Sequence, residues 1–300
     1  MNQLTRYFTH TVLTNGSQVP GVQSVTLGKT FDMTTIIAKG RPAVSTNFYK
    51  VPNFTLSFSR FMADNVAPWN AGFDLSTIAY VKPPSLYDIT IGIVGGGSLL
   101  CKEFYLKSLG YSFSAEGNFT EQIAFEGATV TTADPISESA VGDAGLNLTG
   151  NVKRRQHYTL GGEPAEVQSL LSGGHALLSV ETSMNLNYGH IPTWGRLYAS
   201  KNKYISYPVD ISCTYEILDR GYAQGNTNYY DVDNNPLSPN YIIDDTVYNR
   251  QITVGGYPTI DLGPHNFLVN VDRSGGEAGQ GKYSTYKYTY KNTENYFKLS

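Results

Sequence analysis

Apolar and polar side chains alternate with a period of two along most of this 300-residue chain, a pattern that suits strands hiding one face and showing the other. Phe54, Leu56 and Phe58 share one side of Phe54-Thr55-Leu56-Ser57-Phe58-Ser59. Tyr111-Ser112-Phe113-Ser114-Ala115 alternates in the same way and meets Glu116-Gly117-Asn118, a turn signal. Phe119, Ile123 and Phe125 then fall in phase, so the two runs predict a β-hairpin. Near the C-terminus Tyr286, Tyr288 and Tyr290 alternate with Lys287 and Thr289. Helical patterns are scarce. Pro164 to Leu171 predicts one short helix, with Glu163 and Glu166 favoured near its positive end, and a second is expected around Leu75 to Tyr80. Neither is long enough to organise a fold, so the expected class is all-β.

The chain also repeats itself. Val22-Gln23-Ser24-Val25 matches Leu177-Leu178-Ser179-Val180, and Gly40-Arg41 matches Gly195-Arg196, both at an offset of 155 residues. Pro52 matches Pro208 at 156, and Ile89-Thr90-Ile91-Gly92 resembles Ile252-Thr253-Val254-Gly255. Four matches in one order predict two tandem β-sandwich or barrel domains, 1–150 and 151–300, related by internal duplication. The stretch from Thr129 to Asn151 is rich in small and polar residues and reads as the join. Two long insertions, about Met62 to Leu86 and Gly221 to Tyr248, interrupt the copies. In a self-assembling β-protein such loops reach a neighbouring subunit.

Composition narrows the function. Tyrosine supplies 23 residues, and tyrosine favours both strands and interfaces. Net charge is −3, and Lys153-Arg154-Arg155 is the one basic cluster, so no basic face for nucleic acid is expected. No run approaches the length of a membrane-spanning helix, and the first residues, Met1 to Gly16, lack the apolar core of a signal peptide. Cys101 and Cys213 are too few for a disulfide scaffold and read as buried, reduced thiols.

Catalytic patterns are missing from the sequence. His10, His157, His175, His190 and His265 form no zinc spacing. Gly92-Ile93-Val94-Gly95-Gly96-Gly97 lacks the lysine and helix that a phosphate loop requires. Asp231, Asp233 and Asn235 are a weak candidate for a hard cation, though an Asx-rich turn before Pro236 is the simpler reading. The expectation is a non-enzyme without cofactors.

Several stretches resemble the tail tube proteins of tailed bacteriophages, particularly large contractile-tailed ones. The opening, an Asn15-Gly16 turn leading into Val19-Pro20-Gly21-Val22-Gln23-Ser24-Val25, looks like the start of those proteins. Leu109 to Gly127 resembles their closing hairpin around a Gly-Asn-x-Thr-Glu turn. Leu178-Ser179-Val180, Trp194-Gly195-Arg196 and Tyr207-Pro208-Val209 resemble a second β-domain of that kind. The resemblance implies a virion structural protein, assembled in the host cytoplasm with other phage tail proteins. Its copies would form stacked rings around a channel that conducts DNA without specific binding. Six copies, or three with pseudo-six-fold symmetry, would close a ring. Tail terminators, distal tail proteins and hub proteins share this ring-forming fold. From the alternation, Tyr111, Phe113, Phe119, Ile123, Phe125, Tyr286, Tyr288 and Tyr290 are expected to line or abut the inter-subunit sheet. A tandem β-sandwich adhesin or carbohydrate-binding module is the alternative.

Overall fold

The computed structural model describes residues 11–14, 17–31, 33–37, 39, 44–49, 52–63, 69, 73–75, 85–92, 97–136, 152–190, 203–219, 250–256, 258–275 and 284–300. It is built almost wholly of antiparallel strands, and the all-β expectation holds. In the first half these are β1 (Thr11–Thr14), β2 (Ser17–Gln18), β3 (Val22–Thr30), β4 (Met33–Ile37), β5 (Val44–Tyr49), β6 (Asn53–Phe61), β7 (Leu86–Gly92), β8 (Ser98–Ser114), β9 (Thr120–Gly127) and β10 (Thr129–Ala133). The second half holds α1 (Ala165–Ser172), β11 (Ala176–His190), β12 (Lys203–Asp219), β13 (Thr253–Val254), β14 (Ile260–Asp261), β15 (Asn266–Gly275), β16 (Ser284–Asn292) and β17 (Lys298–Leu299). The short helix predicted at Pro164 is α1, one residue further on; the one expected at Leu75 to Tyr80 lies mostly outside the described residues.

Strand β8 organises the rest. It is 17 residues long, and both its edges are shared along their length. One edge carries β9 over Tyr105–Ser112 and then β10 over Ser98–Lys102, so the predicted hairpin extends well beyond Tyr111. The other edge carries β7 along its first half and β11 along its second. The outcome is a continuous antiparallel run, β3-β6-β9-β8-β11-β12-β16-β15, within a 12-stranded sheet.

The two halves repeat one pairing scheme. The first is ordered β3-β6-β9-β8 and the second β11-β12-β16-β15, so β3 corresponds to β11 and β8 to β15. Bulges fall at matching places. One lies between Val22 and Ser24 and again between Leu177 and Ser179, at the sequence offset of 155. Another lies between Leu106 and Ser108 and again between Leu268 and Asn270, an offset of 162. The three-stranded sheet β13-β14-β17 repeats β7-β8-β10, with Gly92↔Ser98↔Ala133 matched by Val254↔Ile260↔Leu299. Bulges displace a register by one residue and flip every later side chain, so matched bulges are strict markers.

Register corrects two of the sequence matches by one residue. Leu56 pairs with Phe125 as Cys213 pairs with Tyr290, which makes the β6-to-β12 offset 157 where Pro52 and Pro208 suggested 156. Likewise Ile91 corresponds to Thr253 and not to Val254. Between the halves the sheet does not stop. Strand β8 pairs with β11 from Ser108↔Asn185 to Ser114↔Ser179, and one hydrophobic cluster spans both halves. The proposed join at residue 150 lies outside the described residues.

The core explains why the inner sides of these strands are apolar. Phe58 and Phe125 stack at 6.1 Å, and Trp69, brought in from the first long insertion, meets them edge-on at 5.5 and 5.6 Å. In the second half Tyr215 and Tyr290 pack edge-on, and the Tyr290 hydroxyl donates to Glu166 Oε1 of α1 at 2.7 Å. At the chain's start, Gly21 adopts a positive φ of 78° after Pro20, as the second central residue of a tight turn does. A Cβ there would stand 2.6 Å from the Phe61 carbonyl oxygen, so glycine is required where β3 begins.

One ion pair is sealed inside this core. Glu121 of β9 is 0 % exposed and Arg60 of β6 is 2 % exposed. Arg60 Nε donates to Glu121 Oε2, and Trp69 Nε1 donates to Oε1 at 3.0 Å. Removing one partner of such a pair leaves a buried charge unanswered, which costs far more than the pair contributes. Glu121→Ala should therefore destabilise the protein by about 3–5 kcal/mol in chemical denaturation, and Arg60→Met with Glu121→Leu should cost less than the single change.

Candidate assembly face and edges

Alternation gives the eight-strand run two unlike faces. On the inner face Leu56, Phe58, Ile123, Phe125, Leu109, Tyr111, Phe113, Val180, Met184, Ile211, Cys213, Tyr215, Tyr286 and Tyr288 are all buried. Their neighbours on the opposite face are half-buried or exposed, even in the central strands. That outer face is therefore uncovered by any other described element. It is also small and hydroxylic. Ser24 and Ser59 Oγ atoms lie 2.7 Å apart, Ser183 and Ser212 2.8 Å apart, and Ser179 donates to Glu216 Oε2 at 3.1 Å. Its charges are mixed: Glu126, Glu181, Asp210, Glu216 and Asp272 stand with Lys107, Lys203, Lys287 and Lys291, and Glu126 meets Lys107 at 3.0 Å and Lys203 at 3.4 Å. Lys291 reaches Asp210 at 3.5 Å across exposed surface, a contact worth little by itself.

The hairpins lie where the alternation placed them, and the eight side chains expected at an inter-subunit sheet pack inside this chain. Tyr111, Phe113, Phe119, Ile123, Phe125, Tyr286, Tyr288 and Tyr290 are core residues, each 3 % exposed or less. Their strands are flanked on both sides within the chain: β8 by β9 and β11, β9 by β8 and β6, β16 by β12 and β15. Aromatics in a period-two run pack just as well on their own core as on a neighbour, and composition does not distinguish the two. Among the described residues, the strands of this run with one partner strand alone are β3 and β15, apart from the isolated bridge of Asn266 to Arg250 at the start of β15. On β3, Val25 and Leu27 are half-buried against the core; on β15, Leu268 and Val271 are.

The seam between the halves is tied by more than its ladder. Tyr188 donates to the Leu106 carbonyl at 2.5 Å, and its ring meets Tyr105 edge-on at 4.4 Å. Burial, then the neighbouring Tyr87 and the Glu126 charge, raise the Tyr188 phenol well above its ordinary range. Lys203, at the start of β12, donates to the Tyr105 hydroxyl and lies 3.4 Å from Glu126 Oε1. Desolvation by burial lowers the Lys203 ammonium from 10.5 to about 8. Burial also pushes the Cys101 and Cys213 thiols up to about 12, so both stay protonated and unreactive at neutral pH.

Other candidate chemistry is thin. A cavity of about 290 Å³ opens beside the hairpin tip, with Phe113, Tyr158, Leu171, Arg155 and His175 among its walls and no carboxylate among the described residues that line it. His265 Nε2 lies 3.0 Å from Glu294 Oε1 on the surface, and the His157 ring accepts from the Arg154 backbone N–H at 3.0 Å. Asp231, Asp233 and Asn235 lie outside the described residues, and among the described residues no three metal-binding side chains cluster. No described helix is long and apolar enough to cross a membrane.

No family model matches the chain, and no curated protein matches it. Among solved structures the chain is similar to one from the tail of an empty GTA particle, obtained by helical refinement with C6 symmetry. Identity is 12 % and the TM-score 0.29, over 44 % of this chain and 100 % of that one. A superposition that loose assigns neither a family nor a role.

The lowered Lys203 pKa has a sign that can be checked. The folded state releases this proton at about pH 8 and the unfolded chain near 10.5, so folding gains stability as pH rises between them. Compared with Lys203→Met, the wild type should gain stability from pH 8 to 10.5 and show a constant difference below pH 7, measured by urea denaturation at each pH.

Proposed function

We propose that this protein is a non-enzymatic structural subunit that assembles with copies of itself into rings, and that the rings form the tail tube of a phage-like virion. The observation that carries this reading is the eight-strand sheet with one uncovered face and open edges at β3 and β15. Open edges present unpaired backbone groups, and proteins that remain solitary normally blunt or cover them. A ring subunit uses them instead, because a head-to-tail contact that closes under rotation satisfies every edge. The uncovered face then lines the ring. Hydroxyls and small side chains make it smooth, and Lys107, Lys203 and Lys291 are paired with Glu126 and Asp210, which leaves sliding DNA few free cations to grip. The sequence resemblance to tail tube proteins supports the same reading.

Within that reading the halves act as two ring units in one polypeptide, so three chains place six units in a ring and six chains place twelve. A terminator, distal tail or hub ring would use the same edges and face. The glycan-binding alternative would need an exposed aromatic face, and the Tyr286, Tyr288 and Tyr290 stripe is buried.

Negative-stain imaging of the purified protein at high concentration tests the assembly directly. Rings or tubes with a central channel are expected; monomers alone would sink the proposal. Lining charge is a second readout. Rings of the wild type should not retain duplex DNA at physiological salt, whereas Glu181→Lys with Glu216→Lys should retain it, with binding that weakens as salt rises.

A further inference from the structure

The chain contains its own example of how one unit joins the next. At the internal seam, β8 of the first half pairs with β11 of the second. Strand β8 corresponds to β15, and β11 corresponds to β3. The two strands left open are thus the counterparts of the two already joined. We propose that β15 of one copy pairs antiparallel with β3 of the next, in the register of the internal seam. The proposal rests on the ring reading for the presence of a second copy, and it adds which edges meet and how.

Register follows from the offsets. Ser112↔Glu181 at the seam becomes Ser274↔Thr26, Gly110↔Ser183 becomes Asp272↔Gly28, and Ser108↔Asn185 becomes Asn270↔Thr30. The inner-face residues then continue the core. Val180 and Thr182 are buried at the seam, while their counterparts Val25 and Leu27 are only half-buried at the open edge. Leu109 is buried, while its counterpart Val271 is half-buried. Each half-buried side chain lacks the neighbour that its counterpart has.

Two further residues agree with this register without having been used to derive it. Phe31 is 56 % exposed and Val269 is 52 % exposed, two of the four large apolar side chains exposed among the described residues. One step beyond Thr30↔Asn270, the register brings Phe31 beside Val269. Lys29 takes the place of buried Met184, and its ammonium sits 4.5 Å from the Phe31 ring centroid and 5.1 Å from that of Phe54. The cation is held over aromatic faces at the rim and its stem is left to pack, as snorkelling lysines do.

Cysteine cross-linking tests the register. Directly opposed residues in an antiparallel pair have Cα atoms about 4.5–5.5 Å apart, within reach of a disulfide. Full-length Thr26→Cys/Ser274→Cys, oxidised with diamide, should give a covalent ladder whose top band counts the copies in a ring. Ser24→Cys/Asp272→Cys, four residues out of register, should stay uncross-linked. An equimolar mixture of the two single variants Thr26→Cys and Ser274→Cys should stop at a dimer. Val269→Glu should weaken assembly about tenfold or more while leaving the circular dichroism and melting of the monomer unchanged. Rings that form without the Thr26–Ser274 cross-link, or that cross-link equally out of register, would overturn this pairing and leave the ring reading intact. A wild type that stays monomeric at high concentration would overturn both.

Discussion

A β-strand has two hydrogen-bonding edges, and the way β8 divides its own determines how the molecule is built. Its 17 residues are long enough to hold two partners in succession on each side. β9 and β10 follow one another along one edge, β7 and β11 along the other. Through the first half of the strand it is flanked by β7 and β10. Through the second half it becomes the seam on which the whole second unit is hung. Every other described strand of the main run is placed relative to that seam. The ties around it, from Tyr188 to Leu106 and from Lys203 to Tyr105, fasten the second unit to the same strand.

The division of labour between faces follows from the same geometry. Period-two alternation sends tyrosines, phenylalanines and the sealed Arg60–Glu121 pair inward. It sends serines, threonines and carboxylates outward. An inward face needs cover, and α1, the small sheet β13-β14-β17 and Trp69 supply it. The outward face receives none from the described elements. In the proposed ring, the counterpart of the unfinished edges is another copy of the chain.

Much of this can be read in the residues. The hairpin from Tyr111 to Phe125 is legible because alternation and a Gly-Asn turn agree. The helix at Pro164 is legible from its start signals. The repeat is legible at Ser24 and Ser179 because both halves keep a bulge there. Prolines 52 and 208 misalign the copies by one residue, since Pro52 precedes β6 while Pro208 lies within β12. The burial of the aromatic stripe within the chain was not legible, for a different reason. An aromatic stripe shows that a strand has an apolar face, but nothing in it shows whether that face meets the chain's own core or another subunit.

Local pattern, then, was sufficient for strand content, for the turn chemistry and for the existence of two related units, because these depend on neighbours a few residues apart or on a repeated motif. Which edges remain open, which face stays uncovered and where the two units join depended on pairings between residues far apart, such as Ser114 with Ser179 and Ile211 with Asn292. Every strand carries the same backbone donors and acceptors, so edge satisfaction leaves no mark on composition. Only the assembled ladder shows that, among the described residues, β3 and β15 are the end strands of the eight-strand run.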